Sequence, residues 1–133
     1  MLTNTQIRIV VVDDTPPVSS YYKDVLEDEG FSDVSDFLDP EEVLSLAENG
    51  NLRPDIVIAD FDMGKTNGVV LLNCLLKINP FLKSMIVTGS PERVAEVSRM
   101  YPIIEKNYRV GNEIVNLVKI YVEELEGLRM HGF

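Results

Sequence analysis

Five short runs rich in isoleucine and valine, each followed by a helix-like segment, constrain this chain more than any other feature. They are "IRIVVV" (7–12), "DVSDF" (33–37), "DIVIAD" (55–60), "SMIVT" (84–88) and "PIIEK" (102–106). Runs such as "IRIVVV" and "DIVIA" are apolar on both faces instead of alternating, as expected of parallel strands covered by helices on either side. Strand and helix in strict alternation, joined by right-handed crossovers, give an α/β fold: a doubly wound, five-stranded parallel sheet, (βα)5. At 133 residues the chain has the size of one domain. No repeat, low-complexity tract or linker interrupts it, so residues 1–133 are expected to form a single unit with a core over about 7–125 and a short C-terminal tail.

The helices carry their own punctuation. In "DPEEVLSLAENG", Asp39 can cap, Pro40 suits the first helical position, Glu42 completes a capping box, and Gly50 can end the helix in a left-handed conformation. Gly30 closes a helix that opens near Pro16 and Pro17. The last helix has one apolar stripe, Ile114, Leu117, Val118, Tyr121, Val122 and Leu125, which leaves Val115 and Ile120 outside it as exposed apolar residues or a contact surface. Cys74, the single cysteine, is expected to be a packed helix residue. There is no apolar run long enough for a membrane span and no leader at "MLTNTQIR", so a soluble, cytoplasmic protein is expected. A net charge of −10 repels phosphate backbones and argues against nucleic-acid binding.

In such a sheet, ligands sit outside the carboxyl ends of the strands. The first strand ends in Asp13 and Asp14, the third in Asp60, the fourth in Thr88 and the fifth in Lys106. The second ends near Phe37 with nothing comparable, which suits an outer place beside the first. Taken singly, these residues have ordinary uses as caps, turns or solvated charge. Together they form a set: carboxylates that need a cation, a lysine to neutralise oxygens, and a hydroxyl to donate to one. Magnesium fits, as a hard ion that binds carboxylates plus a phosphate oxygen. Asp60 is then a candidate nucleophile toward phosphorus. Three uses of "DIVIADFDMGKTNG" stay open at this level: a phosphate acceptor in a signalling domain, the nucleophile of a phosphatase, and part of a nucleotide-binding loop.

From about Ile7 to Leu125 the chain resembles the receiver domain of bacterial two-component response regulators. The resemblance implies a flavodoxin-like strand order of 2-1-3-4-5. It implies phosphorylation of Asp60 by a histidine kinase, with Thr88 and Lys106 contacting the phosphoryl group. It further implies Mg2+ bound by Asp14, Asp60 and the carbonyl of Asp62, with Asp13 assisting through water. The Asp62 side chain would influence phosphate loss. In "DFDMGKTNG", Met63 and Gly68 match the family loop three and eight residues after the acceptor. Departures are visible too. Gly64 replaces a usual proline and implies a more mobile loop; Asn107 replaces a cis proline; Ile103 stands where an aromatic is expected, with Tyr101 and Tyr108 nearby. Thr88 and Lys106 are 18 positions apart, which leaves room only for a short fourth helix around "PERVAEVSRMY".

The rivals rest on shorter patterns. Haloacid-dehalogenase-type phosphatases share Asp-x-Asp and a later Thr and Lys, but here the Asp13-Asp14 pair precedes Asp60 instead of following it. "ADFDMGKT" approaches a P-loop with Ala59 in place of its first glycine, and Asp60 and Asp62 would repel the phosphates. A receiver-like interaction module that is never phosphorylated is a third possibility. The receiver resemblance implies no turnover enzyme, only assistance to its own phosphoryl transfer and loss. It implies a sensor histidine kinase or phosphotransfer protein as donor. A separate downstream effector is expected, with a homodimer through the fourth helix, fifth strand and fifth helix as a further contact. No output domain is expected within the 133 residues, and His131 in "RMHGF" is expected to be a solvated tail residue.

Overall fold

A computed structural model describes residues 7–130, the side chains of 129 and 130 excepted; His131 lies outside the described residues. The elements are β1 (Arg8–Val12), α1 (Pro16–Asp28), β2 (Asp33–Phe37), α2 (Pro40–Glu48), β3 (Ile56–Asp60), β4 (Asp62–Met63), β5 (Thr66–Asn67), α3 (Gly68–Ile78), β6 (Lys83–Thr88), α4 (Pro91–Val97), β7 (Ile103–Glu105) and α5 (Val110–Met130). Five strands make one sheet in the order β2-β1-β3-β6-β7, with every neighbouring pair parallel. Counting β6 and β7 as the fourth and fifth strands, this is the order 2-1-3-4-5.

Side chains alternate across each strand, and here both faces are apolar. Ile9, Val11, Ile58 and Met85 point to one side and meet Tyr22 and Leu26 of α1 and Ile114 and Val118 of α5. Val10, Val12, Val57, Ala59 and Ile86 point to the other and meet Val43 of α2, Leu72 of α3 and Val94 of α4. Two cores on one sheet are why the strand runs read as continuous apolar stretches.

Helix ends follow the local chemistry. At the end of α1, the N–H of Gly30 donates to Glu27 O and that of Phe31 to Leu26 O; Gly50 and Asn51 repeat the pattern on Ala47 and Leu46 after α2. Both glycines take positive φ, 96° and 76°, as the C-terminal motif requires. At the start of α2, Asp39 Oδ1 accepts from the Glu41 N–H at 2.9 Å and Pro40 occupies the first position. Among the described residues Glu42 makes no return bond and Asp39 caps the Glu41 amide one position earlier, so the expected capping box is not formed.

Three further expectations need correction. Val115 is buried, because the first turns of α5 also press against α1: a Cβ at Gly111 would meet Tyr21 and Val25, and Val115 lies one turn further along that second stripe. Ile120 is exposed as expected. Cys74 is only half-buried, beside the α3 stripe of Leu71, Leu72 and Leu75 that enters the core. After the acceptor-strand tip the chain does not form a loosened loop. It folds into a two-residue hairpin turn at Gly64-Lys65, with Met63 paired to Thr66. Gly64 has φ +71°, a value closed to proline, whose ring fixes φ near −65°, and suited to the primed turns that close tight hairpins. All described peptide bonds are trans, and Asn107, where the family has a cis proline, turns the chain into α5 with its Oδ1 accepting from the Arg109 N–H at 2.8 Å. The short fourth helix is present as the seven residues of α4.

Candidate functional site: an acidic edge with one lysine

The carboxyl ends of β1, β3, β6 and β7 bring Asp13, Asp14, Asp60, Thr88 and Lys106 to one edge of the sheet. Asp13 follows β1 and is fully buried, with its backbone N–H extending the ladder to Phe37 O at 3.1 Å. Its Oδ1 accepts from the Thr15 N–H at 2.9 Å. Among the described residues its Oδ2 has no hydrogen-bond partner, and Lys106 Nζ forms an ion pair with it at 3.6 Å. Asp60, the last residue of β3, is 5% exposed and pairs with Lys106 Nζ at 2.7 Å. Lys106 is positioned by its N–H, which donates to Thr88 O at 2.8 Å. Thr88 is buried, and its Oγ1 accepts from the Ser90 N–H at 3.0 Å.

Carboxylate oxygens of Asp13, Asp14 and Asp60 lie within 4.8 Å of one another. The electrostatic consequence falls on Asp60. Burial raises its pKa, to about 6, with the Asp13 and Asp14 charges adding to the rise and the bond and charge of Lys106 opposing it. For Lys106, partial burial opposes the charged form, but the Asp60 bond and the charges of Asp13 and Asp60 prevail and its pKa is raised. Tyr22 of α1 is held neutral, first by burial and then by the nearby charges of Asp13 and Asp60. A buried carboxylate oxygen with no hydrogen bond among the described residues, in a group of oxygen ligands alone, fits a hard divalent cation. The cluster could hold one.

The two residues after Asp60 are directed elsewhere. Phe61 is buried and its N–H donates to Val87 O at 3.0 Å. The Asp62 carboxylate is exposed and bound by both terminal nitrogens of Arg93, at 3.0 and 3.2 Å, so the structure does not bring it into the acidic group. The Asp62–Arg93 pair was not foreseen, since nothing in the sequence links positions 31 residues apart. Gly68 has a steric reason: a Cβ there would strike the backbone oxygen of Asp60 and come within 2.9 Å of Ile86 Cδ1. Gly64 and Lys65 are the turn of a hairpin and not a glycine-rich strand-to-helix loop, which removes the nucleotide-loop alternative. Ile103 lies in β7. Of the two nearby tyrosines, Tyr101 is buried and donates to Asn73 Oδ1 at 2.6 Å, whereas Tyr108 is 87% exposed and carries Arg109 over its ring.

Residues 9–109 match the family model described as "Response regulator receiver domain". The chain belongs to this family. The receiver is 27% identical over 99 residues to protein-glutamate methylesterase/protein-glutamine glutaminase 2 of Xanthomonas oryzae pv. oryzae, covering 74% of this chain and 27% of that protein. It is 27% identical over 95 residues to the two-component response regulator PprB of Pseudomonas aeruginosa, covering 69% of this chain and 34% of that one. The match thus spans about a third or less of each of these relatives. Among solved structures, a CheY-like response regulator receiver domain protein of Methanospirillum hungatei superposes with a TM-score of 0.77 at 25% identity, over 91% of this chain and 97% of that one. A two-component transcriptional regulator of Clostridium phytofermentans superposes at 0.80 and 19% identity, over 94% and 98%, a likeness of fold. The receiver is thus a two-component signalling domain, and the dehalogenase-type phosphatase alternative is not favoured. Among the described residues, no helix is long and apolar enough to cross a membrane.

Proposed function

We propose that this receiver accepts a phosphoryl group on Asp60 from the phosphohistidine of a sensor histidine kinase or phosphotransfer protein. The observation that carries the reading is a nearly buried Asp60 carboxylate at the sheet edge, held by Lys106 Nζ at 2.7 Å, with the same Nζ 3.6 Å from a buried Asp13 Oδ2 that has no hydrogen bond among the described residues. An Asp60 oxygen forms a bond to phosphorus as the P–N bond of the donor breaks, and the imidazole leaves with that electron pair. Asp60 is ionised above about pH 6 and then has the lone pair to attack with. Lys106 neutralises charge on a transferring oxygen. Because Thr88 Oγ1 accepts from Ser90 N–H, its own hydroxyl proton is left to donate to another oxygen. Asp14, Asp60 and the Asp62 carbonyl would hold Mg2+, with Asp13 assisting through water. When bound, that ion supplies the remaining positive charge for the phosphoryl oxygens.

Loss of the group regenerates Asp60, so the receiver assists its own phosphorylation and dephosphorylation without acting as a turnover enzyme. Phosphorylation shifts a two-state equilibrium at the face of α4, β7 and α5. On or beside these elements Val97, Met100, Tyr108 and Ile120 are exposed, which supports a separate effector protein or a second copy as the partner. Within this reading residues 1–133 act as one cytoplasmic domain, and the net charge of −10 disfavours nucleic acid. The test is incubation with acetyl phosphate and magnesium, followed by intact-mass measurement of the wild type and Asp60→Asn. The wild type should gain one phosphoryl group and the variant none; equal labelling would end the assignment of Asp60.

A further inference from the structure

The roles given to Asp60, Thr88 and Lys106 leave the Asp62–Arg93 contact without a use. Arg93 stands in the first turn of α4 and holds both carboxylate oxygens of Asp62. The same guanidinium lies 5.4 Å from the ring centroid of Phe61. One side chain from α4 therefore engages both residues that follow Asp60. The planar fork of arginine gives such a pair a defined direction, which a lysine could not. The link closes into a ring through one backbone and one side-chain hydrogen bond: Phe61 N–H donates to Val87 O at 3.0 Å, and Ser90 N–H at the start of α4 donates to Thr88 Oγ1 at 3.0 Å. Val94 is the buried residue of α4, so the helix has little other anchorage, and elements with few buried contacts open most readily.

We infer that Arg93 is a positioning residue, whose clamp on Asp62 and Phe61 makes α4 and the β4–β5 hairpin move together at the rim of the Asp60 site. The position of α4 and the access of water to a group on Asp60 then change together. This rests on Asp60 being the phosphoryl acceptor. In the hydrolysis that limits the lifetime of the phosphorylated form, a water oxygen bonds to phosphorus while the bond to Asp60 Oδ breaks. The products are the Asp60 carboxylate and dihydrogen phosphate. A closed clamp slows this step by keeping the hairpin in place. An open clamp admits water and frees α4.

The experiment compares the wild type with Asp62→Asn, Arg93→Gln, Arg93→Lys, the Asp62→Asn/Arg93→Gln pair, and the exchanged pair Asp62→Arg/Arg93→Asp. Each protein is loaded with acetyl phosphate, the donor is removed, and decay of the phosphorylated mass is followed. Amide hydrogen exchange of α4 is measured on the unphosphorylated proteins. Asp62→Asn and Arg93→Gln should each shorten the lifetime and speed α4 exchange by about fivefold, the upper value of one exposed, well-oriented ion pair. Arg93→Lys should fall between, the double variant should add nothing to either single, and the exchanged pair should restore both readouts. A change in thermal midpoint alone, with lifetime and α4 exchange as in the wild type, would overturn the inference, as would additive effects. If the wild type takes no label on Asp60, the acceptor assignment fails. The clamp is then decided by α4 exchange, and unchanged exchange in both single variants overturns it.

Discussion

Asp60 is placed where a carboxylate is least at ease, buried at a strand end beside two other acids, and the fold bears a cost for it. Its pKa rises from the ordinary 3.8 to about 6, so the folded state holds the proton more tightly than the unfolded one. The sign follows: stability associated with this group is fully present below about pH 4 and is lost as pH climbs through about 6, by roughly 3 kcal/mol for two units. In metal-free buffer at about pH 7.5, Asp60→Asn should therefore be more stable than the wild type by about 2 kcal/mol, less than the full shift because the amide pairs less well with Lys106. Denaturant titrations of both proteins across pH 4 to 7.5 give the check, with the difference shrinking toward the acid end. An Asn variant that is less stable at neutral pH would contradict this account of the site. Gly68 makes the opposite case, a residue fixed by space alone. Gly68→Ala drives a methyl against the Asp60 carbonyl oxygen and Ile86, and overpacking of that kind costs about 1–3 kcal/mol. The same titration measures it, and labelling by acetyl phosphate should fall as the β3 tip shifts.

Elements were legible in proportion to how strongly one physical rule governed them. The main strands stood out because a sheet covered on both sides needs apolar residues at every position, and α1 and α2 ended where Gly30 and Gly50 said they should. The acidic edge was readable for the same topological reason, since polar strand tips in an open α/β sheet meet at its carboxyl edge. The misses came where two rules competed or no local rule applied. Val115 escaped a single-stripe view of α5, because that helix packs on α1 as well as on the sheet. The β4–β5 ladder has two residues on each strand, too few for any periodicity to register, and Asp62–Arg93 is a contact of tertiary structure only. Gly64 makes the hairpin testable. Gly64→Pro cannot adopt φ +71°. It should break the Met63–Thr66 pairing and abolish protection of the hairpin amides in hydrogen exchange, while the five-stranded sheet keeps its own. Gly64→Ala, which tolerates the left-handed region at a penalty of about 1–2 kcal/mol, should weaken the hairpin without abolishing it. If the proline variant protects those amides as the wild type does, the turn assignment is wrong.

At the scale of the whole molecule, charge and fold act against each other at one place. The chain carries a net −10, which by itself favours expansion through self-repulsion, and three of its carboxylates are gathered within 4.8 Å. Any cation that binds the folded cluster and not the unfolded chain must stabilise the fold by mass action, by about 1.4 kcal/mol when its concentration is ten times its dissociation constant. Magnesium should thus raise the thermal midpoint of the wild type, and chelation should reverse the rise. Two effects could produce such a rise, screening of the overall charge and occupation of the site, and they separate cleanly. Sodium chloride at equal ionic strength screens the general repulsion but makes a poor substitute in a site of carboxylate oxygens, so the magnesium increment above it belongs to the cluster. That increment should disappear in Asp13→Asn and Asp60→Asn, whose oxygens face the site, and persist in Asp62→Asn, whose carboxylate is turned to Arg93 and which keeps its main-chain carbonyl. An increment of equal size in all four proteins would mean that magnesium acts on the surface charge at large, and the cluster would lose its claim to the ion.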